Sequence, residues 1–235
     1  RMSILREERI GGQRLILGDC LDIMPALGRF DACVTDPPYG IGADRQMAAK
    51  SGTQYGTAAA PKKAYAAKGW DDKPIDHAHI DAISRAAAKS IIFGGNYFPL
   101  PPSRCWLVWD KKVNGAFADC ELAWTNLDMP VRRLEWMWNG MLRKGQERRF
   151  DHPTQKPLGV MEWCLGHVPD ASTILDPFMG SGTTLVACQK LGRMGTGIEI
   201  DPDYFDVACR RVDEATRQPD LFVATPEAPK QEELL

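Results

Sequence analysis

The sequence contains no stretch of about eighteen consecutive apolar residues, the length a helix needs to span a bilayer. Among seven cysteines, at 20, 33, 105, 120, 164, 188 and 209, there is no Cys-x-x-Cys pair. The odd count and wide spacing disfavour a zinc site or a disulfide framework and leave reduced thiols as the simpler reading. Histidine is scarce. His77 and His79 stand two apart, so on a helix they point to different faces, and no metal is expected. The glycine-rich turn near residue 180 is not followed by Gly-Lys-Ser/Thr, which excludes a P-loop. It also lacks the third glycine of the dinucleotide fingerprint, because Leu185 stands where Gly or Ala is required. There is no internal repeat and no secretory pattern, so a cytoplasmic location is expected.

What is present is a chain of 235 residues with 44% hydrophobic and 26% charged residues, enough for one α/β domain with a substantial core. The net charge of −2 hides an uneven distribution. Between 41 and 70, Arg45, Lys50, Lys62, Lys63 and Lys68 face Asp44 alone. Between 131 and 150, Arg132, Arg133, Arg143, Lys144, Arg148 and Arg149 face only Glu135 and Glu147. Beyond 213 the balance turns acidic. Two basic segments thus precede an acidic end, which suits a polyanionic partner better than the overall charge does.

Alternating element patterns predict the architecture. A hairpin turns at Gly11-Gly12 with Arg14–Leu17 as its second strand, and 20–28 forms a short helix. Residues 30–35 make a buried strand stopped by Pro37 and Pro38. Residues 41–72, rich in Ala, Gly and Lys without periodicity, read as a mobile loop. A helix is predicted over 76–89 and strands at 90–93 and 105–109, while 110–150 has no clear pattern. A helix follows Pro157 to about His167, then a strand at 173–176, a helix at 183–191 and a strand at 194–200. Asp201 caps a last helix with Pro202 at its first position. From Gln218 to Leu235 an acidic, Pro-containing tail is expected to be disordered. The prediction is one domain over 1–217, with a mostly parallel twisted sheet and helices on both faces.

Two segments carry chemistry. In Thr173-Ile-Leu-Asp-Pro-Phe-Met-Gly-Ser-Gly-Thr-Thr184, a strand runs into a Gly-rich turn and a helix start. Gly180 and Gly182 allow close backbone approach to a ligand, and the helix start offers free N–H groups. Glu199 lies at the tip of the next strand, where an acid can accept hydrogen bonds from both hydroxyls of a ribose. It could instead cap the next helix, but Asp201 suits that role better. The second segment is Thr35-Asp-Pro-Pro-Tyr-Gly40. Alone, Asp-Pro-Pro is an ordinary turn. After a buried strand, in a chain that also holds the Gly-rich turn, it carries more weight.

Together these segments resemble the amino-methylating DNA methyltransferases, which act on N6 of adenine or N4 of cytosine. The family's Asp-Pro-Pro-Tyr box matches 36–39, and its Phe-x-Gly-x-Gly loop matches Phe178, Gly180 and Gly182. Gly18-Asp19-Cys20 resembles the turn that contacts the cofactor's adenine, and His152-Pro-Thr-Gln-Lys-Pro157 the segment bordering its methionine end. The box precedes the loop, as in the family's β group, where the target-recognising segment lies between them. Here 110–150 fills that slot.

The resemblance implies a Rossmann-like methyltransferase fold in permuted motif order, S-adenosyl-L-methionine as cofactor, double-stranded DNA as partner, a homodimer, and a bacterial or phage origin, often beside a restriction enzyme. It assigns Asp36, Pro37, Pro38 and Tyr39 to catalysis and base binding. It assigns Asp19, Cys20, Asp36, Thr154, Lys156, Asp176, Phe178, Gly180, Ser181, Gly182, Thr183, Glu199 and Ile200 to the cofactor. Arg45, Lys62, Lys63, Arg132, Arg133, Arg143 and Lys144 are the candidate DNA contacts. Adenine is favoured because the family's cytosine members more often carry Ser in place of Asp36. RNA- and protein-modifying relatives carry Asn there and place the loop first. A catalytically silent DNA-binding subunit is the alternative from another class, against which the intact boxes speak.

If the two basic segments face phosphates, the logarithm of DNA affinity should fall linearly with the logarithm of salt concentration, because each neutralised phosphate releases counterion. Filter binding across a salt series measures the slope. A flat line, unchanged by charge reversal at Arg132 and Arg133, would show that these segments do not face DNA.

Overall fold

The computed structural model describes residues 4–45, 68–112, 118–138 and 155–217. Thr154, Lys62, Lys63, Arg143 and Lys144 lie outside them, as do most of the expected loop 41–72 and the whole tail 218–235.

Strands β1 (Arg6–Ile10) and β2 (Gln13–Leu17) form the predicted hairpin. Helix α1 (Cys20–Ile23) starts at Asp19, whose side chain accepts the Leu21 N–H at 2.8 Å. It tightens into a 3₁₀ turn, Met24–Ala26, where Pro25 offers no N–H to continue the α pattern. After β3 (Phe30–Thr35) come α2 (His77–Ala86), capped by Asp76, and β4 (Ala87–Phe93). The helix predicted over 76–89 therefore ends early. Ala87 and Lys89 pair with Phe30 and Ala32 of β3, and that ladder overrides the helical preference of Ala-Ala-Lys.

Strand β5 (Trp106–Asp110) is followed by β6 (Cys120–Thr125) and β7 (Arg132–Glu135). The last two fall within 110–150, expected to face the target. Part of that segment thus completes the sheet. Then come α3 (Leu158–Gly166), β8 (Thr173–Asp176), α4 (Thr183–Lys190), β9 (Met194–Glu199) and α5 (Pro202–Arg217).

All nine described strands join one sheet in the order β1-β2-β9-β8-β3-β4-β6-β5-β7. The five from β2 to β4 are parallel, while β6 lies antiparallel between β4 and β5. Side chains alternate between faces. From β3 and β4, Ala32, Val34, Ile91 and Phe93 pack with Val160, Met161 and Leu165 of α3, while Cys33 and Ile92 pack with Ile80 and Ile83 of α2. Both faces are covered, which is why these strands read as nearly continuous apolar runs. From β3 the chain proceeds outward to β4, and from β8 it proceeds the other way to β9. The crevice beyond the C-terminal ends of β3 and β8 is therefore a topological switch point, where open α/β sheets bind ligands. No helix among the described residues is long and apolar enough to cross a membrane.

Leu165 has no exposed surface and seats α3 on the sheet. Leu165→Ala should cost about 2–5 kcal/mol in chemical denaturation, from lost burial plus the cavity left behind. A loss below about 1 kcal/mol would mean that α3 is not held there by its apolar face.

Candidate active site

At the switch point the ends of β3 and β8 are tied side by side. The Thr35 hydroxyl donates to Asp176 Oδ1 at 2.7 Å, and the Phe178 N–H donates to the same oxygen at 3.2 Å. Asp176 is buried, and burial pushes its carboxyl up to about 6. Its observed role is to fix the Gly-rich turn to the strand that carries the Asp-Pro-Pro-Tyr box.

Asp36, the first residue past β3, has both carboxylate oxygens engaged. The Tyr39 hydroxyl donates to Oδ1 at 2.6 Å, and the Lys156 ammonium donates to Oδ2 at 2.5 Å. Burial raises the Asp36 carboxyl above its ordinary range, with Lys156 opposing the rise. The Tyr39 ring stacks on Tyr97 at 5.1 Å and 15°, and meets Phe98 edge-on. Gly94 makes room for it: at φ +69, a Cβ there would sit 2.2 Å from the Tyr39 ring. Pro37 and Pro38 hold the backbone between Asp36 and Tyr39, and Tyr39 bridges to Pro74.

On the other side, the Gly180 N–H donates to Glu199 Oε2 and the Asp201 N–H to Oε1, both at 2.8 Å. Burial pushes the Glu199 carboxyl up to about 7, against those two backbone donors. The Gly18 N–H donates to the Glu199 carbonyl at 2.8 Å, which brings the Asp19-Cys20 turn alongside. Ile200 is 63% exposed and presents apolar surface beside the carboxylate. Ser181 and Thr183 are buried, and the guanidinium of Arg211 donates to both hydroxyls and to the Ser181 carbonyl at 2.7–2.9 Å. Gly182, at φ +78, packs on α5, where a Cβ would meet Ala208 at 3.0 Å.

Among the described residues, the fold thus brings those assigned to the cofactor, Thr154 lying outside them, to the same end of the sheet as those assigned to the target base. Lys156, assigned to the cofactor, bonds to Asp36, and Asp19 uses an oxygen to cap α1. Of the candidate DNA contacts that are described, Arg45 pairs with Asp72, Arg132 lies exposed on edge strand β7, and Arg133 pairs with Glu135. Sequence reasoning missed Thr35, Glu121, Lys111, Tyr97 and Arg211. It also missed Asp71, whose carboxylate accepts the Gly40 and Ala43 N–H groups at 2.8 and 2.7 Å and clips the chain just after the box. Gly94-Gly95 after an apolar strand was the available signal for the Tyr39 niche. The others depend on strand register and tertiary contact. No cluster of three or more metal-type ligands occurs among the described residues.

Residues 106–210 match the DNA methylase family of N6/N4 methyltransferases. That stretch holds the Gly-rich turn, Glu199 and Lys156, while the Asp36–Tyr39 box lies outside it. The chain is 38% identical over 84 residues to the Type II methyltransferase M2.DpnII of Streptococcus pneumoniae, covering 35% of this chain and 31% of that protein. It is 42% identical over 72 residues to the Type II methyltransferase M.ScaI of Streptomyces caespitosus, covering 30% and 24%. The matches therefore span less than a third of those relatives. Among solved structures, the fold is similar to PvuII DNA methyltransferase (cytosine-N4-specific), with a TM-score of 0.57 at 11% identity over 92% of this chain and 94% of that one. The fold class read from the sequence is the one found.

Glu199 makes stability depend on pH. Its carboxyl titrates near 7 folded against 4.5 in its ordinary state, so the folded protein holds the proton more tightly. That contribution is complete below about 4.5 and lost as pH rises through about 7. Glu199→Gln should flatten the fall in melting temperature between those values, relative to the unaltered protein. Parallel curves would show that Glu199 keeps an ordinary titration. Asp176 titrates nearby and contributes equally to both proteins.

Proposed function

We propose that this chain, a member of the amino-methylating DNA methylase family, transfers the methyl group of S-adenosylmethionine to N6 of an adenine rotated out of duplex DNA. The observation that carries the reading is the Thr35–Asp176 hydrogen bond, which sets an amine-accepting box and a Gly-rich turn with its acidic partner next to each other. The residues around Glu199 fit the cofactor. A buried carboxylate can take ribose hydroxyls on the lone pairs that Gly180 and Asp201 leave open, and exposed Ile200 can take the flat face of an adenine. When bound, the cofactor supplies a methyl group on a positively charged sulfur.

The remaining chemistry belongs to Asp36 and its neighbours. An adenine amine is a weak nucleophile because its lone pair is delocalised into the ring. Acceptors on its two hydrogens favour a pyramidal nitrogen with a localised pair. The Asp36 carboxylate and the Pro37 carbonyl supply those acceptors, on a backbone that two prolines hold in advance. As the nitrogen gains its fourth bond it becomes cationic and then sheds one proton. Asp36, raised by burial, can take it and pass it to solvent. Tyr39 offers a ring on which a flipped base stacks. The choice of adenine over cytosine rests on Asp rather than Ser at position 36. A homodimer belongs to the same proposal.

Asp36→Ala should lower methyl transfer to unmethylated genomic DNA by about 10²-fold or more, the usual cost of losing one preorganised polar group, while S-adenosylmethionine affinity stays within a few-fold. A radiolabelled-methyl assay and calorimetry measure the two. Near-normal turnover would reduce the box to a turn and sink the assignment. Nucleoside mass spectrometry on the product should find N6-methyladenine. N4-methylcytosine would keep the enzyme class and replace the base.

A further inference from the structure

A line of alternating charges enters the active site from a strand outside the two motifs. Lys111 donates to Glu121 Oε1 at 2.6 Å, Glu121 Oε2 lies 3.0 Å from the Lys156 ammonium, and Lys156 reaches Asp36. Glu121 Oε2 also lies 3.4 Å from the Tyr39 hydroxyl. The geometry has a simple origin. Because β6 runs antiparallel between β4 and β5, its first residues lie where the parallel strands end. The Lys111 N–H bonds to the Asp119 carbonyl, so Lys111 and Glu121 are diagonal neighbours on one face. Lys156 is thus a largely buried cation, 8% exposed, shared between two carboxylates.

We infer that Glu121 is a positioning residue for methyl transfer: it holds Lys156 in competition with Asp36 and so sets how much negative charge Asp36 can offer the target amine. This rests on the methyl-transfer reading above. The amine becomes cationic as the new bond forms, and an ammonium on Asp36 Oδ2 opposes that charge. Lys156 over Glu121 leaves the Asp36 carboxylate free to accept. Lys156 over Asp36 neutralises it. The acid keeps its charge throughout: burial works to raise its carboxyl, yet Lys156 and Lys111 pull it down to about 2. Lys156 likewise stays charged, held above the ordinary lysine range by both carboxylates against the effect of burial. The Tyr39 and Phe93 rings, with their centroids 5.5 and 5.2 Å from the ammonium, limit where it can go.

Glu121→Gln keeps the shape and removes the charge, leaving Lys156 entirely to Asp36. Turnover should fall about tenfold to a hundredfold, the effect of one charge-assisted hydrogen bond on a rate. The dissociation constants for S-adenosylmethionine and DNA should stay within about twofold, since neither ligand loses a contact. Lys111→Met has the opposite sign. It frees Glu121 for Lys156, so turnover should hold or rise, which a scaffold role for the charge line does not produce. Steady-state kinetics with calorimetry and filter binding on both variants read the outcome. Unchanged turnover in Glu121→Gln overturns the inference, as does a loss matched by weaker ligand binding. If Glu121→Gln does not fold, Lys111→Met decides alone, and a tenfold fall there overturns it. Asp36→Ala run alongside separates the two readings. If it stays active, methyl transfer through the box fails. If it is inactive while both charge variants behave as the unaltered protein, only the role of Glu121 fails.

Discussion

The parallel pairing of β3 with β8 is the constraint on which the rest of the site depends. Its partners lie far apart in the chain: Thr35 and Asp176, which close the pair at its C-terminal end, are separated by 141 positions. Neither motif has a usable geometry alone. The box needs a strand to aim it, the Gly-rich turn needs Asp176 to anchor its backbone, and one hydroxyl–carboxylate bond serves both. Burial makes that bond matter, because an acid in a dry interior must have its lone pairs met by donors.

A second theme is how many carboxylates are placed in low-dielectric surroundings and how differently they are treated. Glu199 and Asp176 are surrounded by hydroxyl and backbone donors, and burial moves both toward neutral pH. Glu121, between two lysines, goes the other way. Asp36 sits between these cases, with a tyrosine on one oxygen and a shared lysine on the other. The identity of the nearest donor decides which acids can take up a proton and which remain fixed charges.

Much of this was legible in the sequence. The alternation of apolar runs with helical segments, and the Gly and Pro punctuation after them, placed the hairpin, β3, β8, β9 and the last helix, along with the box and the turn. What escaped reading has physical reasons. Strands β6 and β7 are rich in Trp, Arg and Glu, because β6 meets the polar site at one end and β7 lies at the sheet edge. Ala87 to Lys89 carry helical preference, and only pairing with β3 makes them strand. Glu121 belongs to the site through register alone, which no local pattern encodes. Arg211 resembles any other arginine of an amphipathic helix until its guanidinium is found under the Gly-rich turn.

The strand order has a consequence for how the molecule is made. Among the described residues, hairpin β1-β2 joins the rest of the sheet through β9 alone, and β3 meets its inner neighbour only when β8 exists. Along the chain, β3 therefore lacks its inner partner until β8 follows, and β2 lacks its own until β9 does. Long-range parallel pairing of this kind forms slowly and leaves sticky edges exposed in the meantime. The site at the switch point therefore closes only after the last two strands have paired, so late strand pairing sets when it forms.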